Sequence, residues 1–126
     1  MGTAALIDLL VAEGWEHRHL GADDLVAGPG GVFVLATKVV PGRAAVEDGA
    51  LTARLGDDDE TVVRYGGLRG RLLAVALRLG RGVRPVVVVW GEFPRGVVED
   101  DGVAYVHGDA LAGWLRSHRH ALPLAS

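Results

Sequence analysis

Asp23 and Lys38 are the residues of this sequence whose types and spacing best suit chemistry on a phosphodiester. Between them lies Gly28-Pro29-Gly30-Gly31, flanked by Asp23 to Ala27 and by Val32 to Lys38, which predicts a β-hairpin. With Ala27 opposite Val32, Val26 faces Phe33, Leu25 faces Val34, Asp24 faces Leu35 and Asp23 faces Ala36. Side chains alternate along a strand, so Val32, Val34, Ala36 and Lys38 share a face. Asp23 and Lys38 then lie together at the open end of one face, and Asp24 points the other way. A slip of one residue would undo this. Cutting a phosphodiester calls for a divalent ion that neutralises the phosphate and acidifies a bound water. Magnesium takes oxygen ligands, usually one or two carboxylates plus waters. An ammonium beside it orients the water and stabilises developing charge. Lys38 is the only lysine, against twelve arginines.

A second candidate is a run of arginines. Residues 64–84 hold six arginines and no acid, whereas residues 1–63 hold four basic and eleven acidic groups. Arg64, Arg71 and Arg78 are spaced by seven, so on one helix they would share a side away from Leu68, Leu72 and Leu79. Arg81 and Arg84 extend the charge. Such a face could lie along a DNA backbone, or simply be solvated. No aromatic residues interleave with it, so base stacking is not indicated.

Other chemistries find less support. His17 and His19 share a strand face, but no helical histidine pair four apart with a glutamate is present, and a zinc site is not expected. Ser117 lacks a nucleophile elbow. Gly28 to Gly31 precedes a strand rather than a helix, so it is not a phosphate-cradling loop. Asp57 to Glu60 reads as a solvated turn, without the alternation of a calcium loop.

The run from Asp23 to Lys38 resembles the signature of the nuclease-related domain (NERD) family, part of the restriction-endonuclease-like PD-(D/E)XK superfamily. That hairpin usually reads Ile-Asp-His, three apolar residues, Gly-Pro, then Gly-Val-Phe-Val-Ile-Asp-Thr-Lys. Gly14-Trp15, Gly42-Arg43, Arg84-Pro85 and Pro94-Arg95-Gly96 extend the resemblance. It implies that Asp23 is a metal-binding aspartate, Lys38 a catalytic lysine and magnesium or manganese the cofactor. It also implies a DNA substrate. Ala36, however, stands where the family has its second acid, and Asp24 where it has a histidine. The family's early glutamate falls at or before Met1, and the stretch Tyr65 to Gly70 lacks its glutamine. Glu13, Glu16, Asp24 and Glu47 are the only candidate replacement acids, and none is convincing. The expectation is therefore a nuclease-like domain, associated with DNA or a protein partner, that has lost catalysis. The alternatives are a magnesium- or manganese-dependent nuclease completed by a second chain, and a structural module that dimerises through a sheet edge or the C-terminal helix.

Positioning these residues takes a scaffold that the sequence also outlines. With 126 residues, 49% hydrophobic, the chain suits one domain with a real core. Without cysteine there is no disulfide scaffold, thiolate metal site or cysteine nucleophile. A net charge of −3 excludes a polycation built for nucleic acid. No apolar run is long enough to span a membrane, no leader pattern opens the chain, and a cytoplasmic location is expected. The patterning predicts a helix over Thr3 to Glu13 with Thr3 as cap, and a strand over Trp15 to Leu20. After the Asp23–Lys38 hairpin come a second hairpin at Asp48-Gly49 and a helix from about Tyr65 to Leu79. Pro85 to Trp90 lacks alternation and reads as a strand buried on both faces. A third hairpin turns at Asp101-Gly102, and Asp109 to His118 reads as a closing helix with Leu111, Trp114 and Leu115 inward. Trp15 and Trp90 are further expected anchors, and the tail after about residue 120 is expected to be loose. The fold class expected is α/β, a restriction-endonuclease-like core with a mixed sheet flanked by helices.

Overall fold

A computed structural model describes residues 2–56 and 60–118. Residues 57–59 of the acidic turn expected at Asp57 to Glu60, and the expected C-terminal tail, lie outside the described residues. The order of elements is α1 (Thr3–Ala12), β1 (Glu16–Leu20), β2 (Asp23–Gly28), β3 (Gly31–Glu47), β4 (Ala50–Leu55), β5 (Thr61–Tyr65), α2 (Leu68–Leu79), β6 (Val83–Glu92), β7 (Val97–Asp100), β8 (Val103–His107) and α3 (Gly108–Arg116). It is an α/β fold with one mixed, mostly antiparallel eight-stranded sheet.

The sheet runs β1-β2-β3-β6-β8-β7, and β4 joins the far half of β3 and carries β5. β6 pairs in parallel with both β3 and β8, and the other pairings are antiparallel. A strand in this position has no wet face. Val86, Val87, Val88 and Val89 are all fully buried, which is why Pro85 to Trp90 shows no alternation. Val87 and Val89 face one way, with Val34, Ala36, Leu72 and Ala76. Val86 and Val88 face the other, with Phe33, Leu35, Leu10, Leu111 and Leu115. Helix α2 therefore covers one face, and α1 and α3 cover the other, so each face of the sheet finds its apolar cover within the chain.

The hairpin register is as expected: Ala27 pairs with Val32, Val26 with Phe33, Leu25 with Val34 and Asp24 with Leu35. Two Asp-Gly turns close their hairpins with left-handed residues, Asp48 at φ 50° with Gly49 at 78°, and Asp101 at 48° with Gly102 at 91°. β3 is longer than expected. Its register against β6 shifts between Val39 and Arg43, and past that point it pairs with β4.

Three sequence expectations are corrected. Helix α2 starts at Leu68, and the residues before it form β5. Arg64 thus sits on a strand, and the seven-residue stripe is not continuous. Thr3 is inside α1 rather than its cap, which is Gly2. The Thr3 hydroxyl is the meeting point of two donors instead, Thr37 Oγ1 at 2.9 Å and Trp90 Nε1 at 2.8 Å, tying α1 to β3 and β6. Leu79, expected inward, is 40% exposed.

Candidate functional site

Asp23 opens β2 at the point where β1 and β2 pair, opposite Leu20. Its carboxylate turns to the α2 face of the sheet and is 4% exposed. There it meets Arg71 from the second turn of α2. The guanidinium donates from Nη1 to Oδ2 at 2.6 Å and from Nη2 to Oδ1 at 3.2 Å. Both carboxylate oxygens are thus engaged by one planar group, a bidentate arrangement with charge assistance. The hydrogen bond to Asp23 holds the Arg71 guanidinium above its usual pKa, against the smaller opposing effect of burial.

Continuing the hairpin register places Asp23 beside Ala36, which is 1% exposed and belongs to the apolar layer under α2. Two residues further along the same face stands Lys38, half-buried, its Nζ 5.5 Å from the centre of the Tyr65 ring. That distance suits a cation–π contact. The sequence thus placed Asp23 and Lys38 on the right face. What it missed was the group that fills the space between strand and helix.

Magnesium or manganese does not fit this set. A divalent ion takes its ligands from carboxylate oxygens with free lone pairs. Asp23 already gives a lone pair of each oxygen to the Arg71 guanidinium, whose positive charge opposes a second cation at the same place, and the Ala36 methyl has nothing to offer. The candidate replacement acids are committed elsewhere. Glu47 accepts from Arg54 at 2.7 and 3.1 Å and from Thr52 at 3.2 Å, and the arginine bonds, the largest influence, pull its pKa below the usual carboxylate range. Glu13 pairs with Arg116. Glu16 lies at the opposite end of β1 and β2, across from Ala27. Asp24 faces the other side of the sheet, where its Oδ1 lies 2.8 Å from His17 Nε2.

The arginine run is also partly spent. Arg64 donates to the backbone carbonyls of Glu47 and Asp48 at 3.2 and 2.9 Å. Arg69 pairs with Asp101 at 2.8 Å, and Arg84 lies 4.0 Å from Glu99. Arg78 and Arg81 are exposed and make no ion pair among the described residues. Of the arginines expected on one basic face, these two keep their charge directed to solvent.

The closing helix is not a spare surface. Leu111 and Leu115 are fully buried within this chain, and Trp114 packs against Phe33 with ring centres 5.7 Å apart. Leu111 and Leu115, two of the apolar residues of this helix, are thus covered within the chain, and Trp114 is partly buried. No described helix is long and apolar enough to cross a membrane.

Comparison with family models, curated proteins and solved structures gives no match to this chain.

Proposed function

We propose that this chain is a nuclease-like, DNA-associated domain in which an ion pair has replaced the metal-dependent cleavage site. The observation that carries this reading is the Asp23–Arg71 pair. A guanidinium occupies both oxygens of the one remaining expected metal ligand, and the position of the second ligand is a buried alanine. A fixed arginine supplies positive charge at that place without a bound ion, but it cannot acidify a water. The NERD-like hairpin supports the reading, as does the order helix, five antiparallel strands, helix and a strand parallel to the third.

DNA contact in this reading is electrostatic and modest. Each neutralised phosphate contributes roughly −0.9 to the slope of log K against log salt. If Arg78 and Arg81 carry the contact, the slope is about −2, whereas six available arginines would give about −5. Fluorescence anisotropy of a labelled duplex across a salt series measures it. The expected result is weak binding with the shallow slope, losing about one unit of slope in Arg78→Ala. Binding that is absent at low salt, or unaffected by the double change Arg78→Ala and Arg81→Ala, would remove DNA association from the account.

A further inference from the structure

We propose that His17, His19 and Asp24 form a binding site for a zinc-like divalent ion on the face of the sheet opposite Asp23 and Lys38. The site follows from strand pairing. β1 and β2 are antiparallel with His19 opposite Asp24, and His17 stands two residues back on the same face. Residues directly opposite and residues two apart are the ones whose side chains meet on a sheet. Asp24 Oδ1 lies 2.8 Å from His17 Nε2 and 3.1 Å from His19 Nδ1. The three ligand atoms all fall within 4.8 Å of one another. An ion with bonds of about 2.0–2.1 Å holds neighbouring tetrahedral ligands roughly 3.3–3.4 Å apart, so adjustment of the three side chains from their present spacing admits one.

The surroundings suit an ion with an open position. The side chains of His17 and Asp24 are 19% and 18% exposed, held by the fold, and that of His19 is 82% exposed. The cluster lines an open cleft of about 290 Å³ between the hairpin and α1, which also contains Asp8. Entry is through solvent, and water can complete the coordination. Two imidazoles and one carboxylate favour zinc, cobalt or ferrous iron over magnesium, which prefers oxygen alone. The alternative is a hydrogen-bonded cluster in which both rings donate to Asp24. Binding an ion would displace those two protons. The proposal does not rest on the nuclease-like reading, since none of its three ligands is Asp23, Lys38 or Arg71.

Titration of the full chain with Zn²⁺, in competition with a chromophoric chelator, tests it. The expected result is one ion per chain, with the dissociation constant raised about tenfold or more in His19→Ala and in Asp24→Asn. Zn²⁺ should raise the melting temperature of the wild type and leave that of His19→Ala unchanged. Millimolar Mg²⁺ should do neither. His19 is exposed, so the metal-free variant should melt with the wild type, and His19→Gln repeats the test if it does not. Absence of Zn²⁺ binding, equal affinity in wild type and His19→Ala, or Mg²⁺ binding as tight as Zn²⁺ would each overturn the proposal.

Discussion

Replacing Arg71 by leucine is expected to lower the unfolding free energy by about 2–3 kcal/mol. The change strands the Asp23 carboxylate, which is 4% exposed, without its partner. Breaking a fully buried ion pair costs about 3–5 kcal/mol. Here the Arg71 side chain is 48% exposed, so water reaches the vacated position and screening reduces the effect. The double change Asp23→Leu and Arg71→Leu should recover most of the loss, because apolar replacement of a buried pair is often neutral. Urea unfolding of the two single variants, the double variant and the wild type completes the cycle. Additive losses would show that the two groups do not hold each other.

Gly28→Ala is expected to cost about 2–3 kcal/mol, at the upper end of overpacking effects. In the sequence, Gly28-Pro29-Gly30-Gly31 reads as turn chemistry. In the structure only Gly31 needs a glycine backbone, with φ 129°. Gly28 is required for space. A Cβ there would overlap the indole of Trp15, which is 5% exposed and packs against Phe33 with ring centres 6.2 Å apart. Gly30 is similarly crowded by the Leu115 carbonyl, with a Cβ expected 2.8 Å from it. A steric cause predicts non-additivity: adding Trp15→Leu to Gly28→Ala should cost less than the sum of the two single losses. Strict additivity in denaturant unfolding would point to the backbone instead.

The contrast between the two halves of the hairpin explains what could be read in advance. Its register was legible because Val26, Phe33 and Leu35 must all turn to the same apolar layer, and a slip would expose every one of them. The buried run at Val86 to Val89 was legible for the same reason. The strand at Thr61–Tyr65 was not. Arg64 falls seven residues before Arg71, and a helical period drawn through charged residues concealed a short β-branched run. The end of β3 was also obscured, since Pro41-Gly42 looks like a break, yet the strand changes partner there and continues.

At the site, parity along the hairpin was visible and its consequences were not. Asp23 and Arg71 are 48 residues apart, and no local pattern announces a helix arginine that reaches a strand carboxylate. Asp24 was set aside because it faces away from Lys38. The same parity places it against His17 and His19, a cluster that the alternation of residues 17, 19 and 24 across β1 and β2 could have revealed.

In the proposed function, the Asp23–Arg71 ion pair beside Lys38 stands in place of a catalytic metal. Supercoiled plasmid incubated with the full chain in Mg²⁺ and in Mn²⁺, beside Lys38→Ala, tests it most directly. Wild type and Lys38→Ala are both expected to leave the plasmid as supercoiled as the protein-free control. Nicking by the wild type that disappears in Lys38→Ala would contradict it.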